Sequence, residues 1–170
     1  DKSIVAVGEK LAALLTERGY NVLHDTTDHE PPLHTTAYTR SLETMEKYKE
    51  KYPSLTAFID LHRDGVTPAQ TDAERDTVTV DGQRVARMLC VVGTGDKYAE
   101  KPDWKANYKL AQAVTQSLQA VNKKLCKDVR VKAGRYNMHV SDSCLVMEVG
   151  HNDNTLAEAL GALPYVAAAI

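Results

Sequence analysis

Two apolar runs of the chain, residues 57–62 and 144–150, each carry a residue suited to catalysis at or near the end of a predicted buried strand. The first run ends at His62, and the second contains Glu148. If both strands lie parallel in one sheet, the two side chains emerge at the same edge, which is where open α/β sheets bind ligands. An imidazole and a carboxylate at that edge predict a metal ligand beside a general base.

Helices and strands are predicted to alternate along the chain, because the hydrophobic pattern changes repeatedly between helical and extended periodicity. Helices are predicted at residues 2–18, 35–51, 103–123 and 154–168, and strands at residues 21–24, 57–62, 87–92, 129–131 and 145–149. Asp81-Gly82, between two short polar-apolar runs, predicts an inserted hairpin because these residues tolerate the positive φ of a tight turn. This order predicts an α/β fold with a mostly parallel sheet, helices on both faces and one inserted hairpin.

The length and charge of the chain limit its class. With 170 residues, we predict that residues 1–170 form a single domain whose core needs neither disulfide nor metal to fold. The formal charge is −2, and no basic block is interleaved with aromatic residues, so nucleic acid is not a predicted partner. No segment reaches the ~20 apolar residues of a membrane span. Because the chain opens on a helical pattern without Met, we interpret it as truncated at its N-terminal end, with any membrane anchor outside it.

The two strand-end residues each admit a structural alternative. His62 precedes Arg63, Asp64 and a glycine, so the chain turns where it would present a ligand, but such a histidine can also bond a backbone carbonyl. Glu148 lies among apolar neighbours, where an ionised carboxylate is costly unless it is paired or bound to a cation. Burial would raise its pKa toward the range in which it accepts a proton from water. Its structural alternative is an ion pair with an arginine such as Arg63, and the presence of both strand-end residues favours the metal site.

The other histidines give weaker predictions. His24 and His29 flank two aspartates in a polar segment, which is either a solvated loop or a segment that turns one imidazole toward the site. The histidines expected at the surface are His34, His139 and His151. Asp60 is expected to point away from the face that bears His62, and it is therefore not the predicted base.

Cysteine and glycine patterns exclude several kinds of site. The three cysteines lack metal spacing, and Cys90 and Cys144 lie in apolar strand runs, where we expect them to pack as small hydrophobes without an obligatory disulfide. A nucleotide-binding α/β domain would need a glycine-rich phosphate loop after the first strand. Residues 25–28 are Asp-Thr-Thr-Asp, which excludes that interpretation.

Several stretches of the chain resemble the stage II sporulation protein P family, which is related to zinc-dependent N-acetylmuramoyl-L-alanine amidases. The stretches are residues 7–11, 22–29, 59–64, 145–150 and 154–156. Residues 102–107, Pro-Asp-Trp-Lys-Ala-Asn, resemble the family's Pro-Asn-Trp-x-x-Asn. The resemblance runs nearly end to end, and Ile-Asp-Leu-His-Arg-Asp at residues 59–64 is its most specific part. It implies an amidase-like version of the predicted fold.

The resemblance implies Zn²⁺ as cofactor, His62 as a zinc ligand and Glu148 as the catalytic carboxylate. His29 is our candidate for another zinc ligand. The candidates for substrate binding or for support of the site are His24, Arg63 and Asp64, with bracing of the turn after the strand preferred for the last two. The family's His-x-His motif before the first helix has no counterpart here, so we expect this fragment to lack one metal ligand.

The implied reaction is hydrolysis of peptidoglycan between muramic acid and the stem peptide during engulfment of the forespore, with cleavage of peptide cross-links as a further activity. The implied location is the outer face of the membrane or the wall of a spore-forming bacterium, where another sporulation wall hydrolase is a candidate partner. An alternative of another class is a peptidoglycan-binding module that keeps the fold without turnover, because one histidine is missing. Zinc content and release of soluble fragments from sacculi distinguish the two.

Overall fold

The computed structural model describes residues 2–65, 67 and 76–170. Its elements in chain order are α1 (Lys2–Glu17), the 3-10 helix η1 (His34–Thr36), α2 (Ala37–Lys51), β1 (Phe58–Asp64), β2 (Thr77–Val80), β3 (Gln83–Ala86), β4 (Met88–Gly93), α3 (Trp104–Val121), β5 (Arg130–Lys132), the 3-10 helix η2 (Met138–Val140), β6 (Cys144–His151) and α4 (Leu156–Ala169). Among the described residues, no helix is both long and apolar enough to cross a membrane.

Within the described residues, the main sheet has four strands in the order β1-β6-β4-β5. β1 pairs with β6 in parallel, as does β4 with β5, whereas β4 and β6 are antiparallel. The predicted α/β fold with a mostly parallel sheet is therefore confirmed. The last strand in the sequence, β6, therefore lies inside the sheet, between β1 and β4.

The predicted hairpin is also confirmed, as a separate two-stranded sheet of β2 and β3. Its turn residues Asp81 and Gly82 have φ values of 50° and 78°. Positive φ at both central positions matches the right-handed twist of the flanking strands, which explains why Asp-Gly closes this loop.

The predicted strand at residues 21–24 is wrong, because this segment has no strand conformation. Only Val22 packs against the core, while Leu23 is 47% exposed. The segment therefore lacks the alternating burial that holds an edge strand in place. The segment contacts a helix instead, since the His24 ring lies against Gly8 of α1.

Helices cover the two faces of the sheet unequally. α1 and α4 pack against each other on one face, and Leu11, Leu118 and Leu163 of α1, α3 and α4 are buried in the core with β4 and β6. α2 lies on the other face and contributes no fully buried residue. Cys90 and Cys144 are buried in the core as predicted. The face beneath α2 therefore keeps partly exposed side chains, and it is the face that bears the candidate site.

Asn107 explains structurally why residues 102–107 form a recognisable motif. Asp103 caps α3 by accepting hydrogen bonds from the backbone N–H groups of Lys105 and Ala106. Asn107 is fully buried; its Nδ2 donates to the Met138 carbonyl at 3.1 Å and its Oδ1 accepts from the Cys144 N–H at 2.8 Å. One amide side chain thus ties α3 to η2 and to the first residue of β6.

Candidate functional site

The pairing of β1 with β6 places His62 directly beside Glu148 in the parallel register. Directly paired residues of neighbouring strands present their side chains on the same face of a sheet. Both residues lie in the carboxyl-terminal halves of their strands, so the juxtaposition predicted from the sequence is present. The structure therefore brings an imidazole and a carboxylate together at one end of the sheet.

Glu148 is half-buried and incompletely paired. Its Oε2 is buried and has no hydrogen-bond partner among the described residues. Burial raises the pKa of the Glu148 carboxyl; the nearby charges of Asp64 and Asp60 raise it further, whereas His62 and Lys132 lower it. A carboxylate with an unused buried oxygen and a raised pKa can accept a proton from a water or from a substrate group.

Asp60 contacts His62, contrary to the sequence-based expectation. Asp60 Oδ1 lies 2.9 Å from His62 Nε2. The expectation was wrong because side chains two residues apart in a strand lie on the same face, not on opposite faces. The hydrogen bond to Asp60 is the main cause that raises the pKa of the His62 imidazole, against the lowering effect of burial.

Two tyrosines that the sequence did not single out border this pair. The Tyr38 ring of α2 stacks on the His62 ring at 6.4 Å between centroids and 21° between planes. Tyr136 packs edge-on against Tyr38 at 5.6 Å. The charge of Glu148 contributes to raising the pKa of both tyrosines, after burial as the first cause. Tyr38 is 38% exposed, and its place in a predicted helix was the sequence signal for it.

Asn137 holds the start of α2 over the site. Its Nδ2 donates to the Tyr38 carbonyl at 2.7 Å and lies 2.9 Å from Ser41 Oγ. The residue has φ 53°, a left-handed conformation that asparagine tolerates better than most residues. Asn137 is 5% exposed, so this link is shielded from water. The position of Tyr38 is therefore fixed by contacts on both of its sides.

The segment that contains His24 and His29 is attached to helices. Two contacts join this segment to α2. His29 Nε2 is 3.0 Å from Oγ1 of Thr44 on α2. The hydroxyl of Tyr48, also on α2, donates to Asp25 Oδ2 at 2.9 Å. The His24 ring lies against Gly8 of α1, where a Cβ would collide with it. Among the described residues, no hydrogen bond or ion pair joins either histidine to His62 or Glu148. Glu30 is nevertheless close enough to contribute to the raised pKa of His62.

Arg63 and Asp64 lie on opposite faces of β1. Arg63 lines a small pocket on the face that α1 and α4 cover, together with Val149 and His151. The alternative in which Glu148 pairs with Arg63 is therefore not supported. Asp64 lies on the His62 side, where its Oδ2 is 3.4 Å from an Arg130 nitrogen. Its charge also raises the pKa of Glu148, which places it near the site.

A second histidine–carboxylate cluster lies beside the Arg63 pocket. His151 Nε2 is 3.1 Å from Asp76 Oδ2, and the other oxygen of Asp76 is paired with the Lys127 ammonium. His151 Nδ1 accepts a hydrogen bond from the Asp153 N–H at 3.1 Å. The expectation that His151 lies at the surface is wrong, because its side chain is 1% exposed. Packing of the residues after β6 against Asp76 encloses it.

His139 was also expected at the surface, and that expectation is wrong as well. Its side chain is 5% exposed, and its Nε2 lies 3.6 Å from Glu100 Oε2. Burial lowers the pKa of the His139 imidazole, and the nearby Arg135 lowers it further. His34, by contrast, is exposed at the surface as predicted.

The metal-ligating capacity of the site is limited in the described part of the chain. Residues 2–65, 67 and 76–170 contain no group of three His, Cys, Asp or Glu side chains that could hold a metal ion. What the site offers is one imidazole, His62, beside the carboxylates of Asp60 and Glu148. Imidazole nitrogen and carboxylate oxygen are ligand types that zinc accepts, but a catalytic zinc centre takes three protein ligands, and the described residues do not group that many.

Comparison with known proteins identifies relatives of the chain. The family described as Stage II sporulation protein P matches residues 1–170. Stage II sporulation protein P of Bacillus subtilis (strain 168) is 26% identical over 167 residues, which cover 92% of this chain and 39% of that protein. The chain thus spans less than half the length of this relative. No solved structure matches.

Proposed function

Because this chain belongs to the stage II sporulation protein P family, we propose that it is a zinc-dependent peptidoglycan hydrolase whose reaction takes place at His62 and Glu148. The bond we propose as its target is the amide between muramic acid and the stem peptide, with peptide cross-links as a further candidate. The observation that carries the proposal is the direct register of His62 and Glu148 on neighbouring parallel strands.

His62 is the proposed zinc ligand on this face. Its imidazole is 43% exposed, and it lies beside a buried carboxylate oxygen that has no partner among the described residues, which is the chemistry a zinc centre uses. His29 is our candidate for another ligand, and it would have to leave Thr44 to reach the metal. Zinc, when bound, lowers the pKa of its water toward ~7 and polarises the scissile carbonyl.

Glu148 is the proposed general base. Its carboxylate accepts a proton from the attacking water while the water oxygen bonds to the carbonyl carbon. The same proton then passes to the leaving amide nitrogen as the carbon–nitrogen bond breaks, which returns Glu148 to its ionised form. The raised pKa of Glu148 suits both steps, because a base with a pKa nearer neutrality can also release its proton as an acid.

The proposed location follows from the proposed substrate. Peptidoglycan lies outside the cytoplasmic membrane, so we place the catalytic face of this protein at the outer surface of the membrane or in the wall of a sporulating cell. We propose another sporulation wall hydrolase as a partner. The family's name supports the link to sporulation.

A second candidate function is a peptidoglycan-binding module without turnover. The observation that favours it is the lack, among the described residues, of three side chains grouped to hold a metal ion. In that case His62 and Glu148 would contact the wall without chemistry. The two candidates differ in a product that can be measured.

Digestion of purified sacculi by the full-length protein tests the proposal. An amidase releases stem peptides with a new amino terminus and leaves a carboxylate on muramic acid, whereas cross-link cleavage shortens peptides that stay attached to glycan. We expect the first product, its loss after chelation and its return with added zinc. Sedimentation of the protein with sacculi without any soluble product would contradict the proposal and support the binding module.

A further inference from the structure

Asp60 contacts His62 in a way that defines the state of the imidazole. The two side chains lie on one face of β1, and Asp60 Oδ1 is 2.9 Å from His62 Nε2. A neutral imidazole carries its proton on one nitrogen and a lone pair on the other. A carboxylate at this distance favours a protonated nitrogen over a lone pair, so the contact favours the proton on Nε2 and the lone pair on Nδ1.

Tyr38 restrains both members of this pair. Its ring stacks on the His62 ring, and its hydroxyl donates to Asp60 Oδ2 at 3.4 Å. Tyr136 packs edge-on against the Tyr38 ring, and Asn137 donates a hydrogen bond to the Tyr38 backbone carbonyl. The His62 ring is therefore fixed by a hydrogen bond at its edge and by an aromatic ring on its face.

The partners of Asp60 distinguish its role from that of Glu148. One oxygen of Asp60 is engaged by the imidazole and the other by the Tyr38 hydroxyl. Glu148, in contrast, keeps one buried oxygen without a partner among the described residues. Both oxygens of Asp60 thus contact a neighbouring side chain, and these contacts suit orientation of that neighbour.

We propose that Asp60 is a positioning residue that holds the His62 ring through Nε2, so that Nδ1 is the nitrogen presented to zinc. The inference rests on the proposed function of the site. A histidine that binds a metal commonly donates its other ring N–H to a carboxylate, which fixes the ring and increases the basicity of the ligand. Asp60 occupies that position on this chain, and Tyr38 stabilises it there.

The experiment has a spectroscopic arm and a metal-binding arm, both on the full-length protein. In the zinc-free protein, ¹⁵N NMR of the ring nitrogens at a pH well above the histidine pKa reports which nitrogen of His62 carries the proton. We expect the Nε2–H form in the unaltered protein and a mixed population in Asp60→Ala. Asp25→Asn is the matched control, since Asp25 also accepts from a tyrosine of α2 but does not contact His62.

Zinc affinity is then measured for the same proteins by competition with a chelator. Loss of an outer carboxylate typically weakens metal binding by about 10- to 100-fold. We expect that loss in Asp60→Ala and a smaller one in Asp60→Asn, whose amide oxygen can still accept from Nε2–H. Asp25→Asn should bind zinc like the unaltered protein. If Asp60 served only to stabilise the strand, folded Asp60→Ala would keep both the Nε2–H form of His62 and the zinc affinity of the unaltered protein.

Two results would overturn the inference alone. One is an Nδ1–H imidazole in the unaltered protein, which needs no variant to observe. The other is unchanged zinc affinity in Asp60→Ala while the unaltered protein binds zinc. If the unaltered protein binds no zinc, the proposed function fails together with the inference, so the two failures are distinguishable.

Discussion

Two histidine–carboxylate clusters lie near the carboxyl-terminal end of the same sheet, and they differ in how completely they are closed. His151 is 1% exposed, and its ring nitrogens face Asp76 at 3.1 Å and the Asp153 N–H at 3.1 Å. His62, in contrast, is 43% exposed, although it has a similar contact with Asp60 at 2.9 Å. Each cluster keeps one buried polar atom without a hydrogen-bond partner in the described part of the chain, Nε2 in His151 and Oε2 in Glu148.

The difference shows which property separates a structural cluster from a candidate site. Residue type and position at a strand end are shared by both clusters. α1 and α4 cover the His151 side, whereas α2 covers the His62 side and buries none of its own residues fully. An exposed imidazole on an open face can be reached by an incoming molecule, whereas the unpartnered nitrogen of His151 is shielded by the elements packed over it.

Among the substitutions that test this comparison, we expect the largest effect from Glu148→Gln, which should lose turnover. The amide keeps the volume of the side chain but cannot accept a proton from water. Loss of a general base typically slows a reaction by about 10²- to 10⁴-fold, and we expect that loss in hydrolysis of sacculi. The free energy of unfolding, measured by denaturant titration, should be unchanged or slightly larger, because a half-buried charge is removed.

Glu50→Gln is the control for this substitution, since Glu50 is exposed on α2. It should retain the turnover of the unaltered protein. A Glu148→Gln protein that unfolds much more easily and still digests sacculi would show that Glu148 belongs to a closed structural cluster like that of His151.

The next largest effect is expected on stability in Asp76→Ala. This change removes the partner of both His151 and Lys127. Breaking a buried ion pair from one side typically costs about 3 to 5 kcal/mol, and we expect the lower end because Lys127 is 31% exposed and can reach water. Denaturant titration measures the loss. Zinc content per folded molecule should not change, and a change there would mean that the two clusters are coupled.

The smallest expected effect is a pH dependence of stability that Glu148 causes. Burial raises the pKa of its carboxyl in the folded state above the unfolded value, so the folded state binds the proton more tightly. Stability from this group is therefore present at low pH and is lost as pH rises from the unfolded pKa, about 4.3, through the folded pKa. Relative to Glu148→Gln, the zinc-free unaltered protein should lose stability across that window. Parallel stability curves for the two proteins would contradict the raised pKa.

Local patterns in the sequence were sufficient to predict the elements that carry the site. The apolar runs around His62 and Glu148 predicted two strands, and the alternation of helices with strands predicted their parallel pairing. Asp81-Gly82 predicted the hairpin because its conformational requirement is local. These features depend on side-chain periodicity and backbone preference, which a single sequence contains.

Features that depend on distant contacts were not predictable in the same way. Tyr38 joins the site only because Asn137, 99 positions later in the chain, holds the start of α2 over β1. His151 is buried against Asp76, which directly precedes β2 of the hairpin. No pattern near either residue indicates this contact. Asp60 is different, since the two-residue period of β1 was sufficient to place it beside His62.

Zinc content of His62→Ala and His151→Ala, measured in the full-length protein by metal analysis after exhaustive dialysis, tests the central claim most directly. Both variants lose one histidine from a histidine–carboxylate cluster of the same sheet. We predict that His62→Ala loses bound zinc and that His151→Ala retains it at the stoichiometry of the unaltered protein, despite lower stability. Full zinc occupancy in His62→Ala, or loss of zinc only in His151→Ala, would contradict the assignment of the open face as the metal centre.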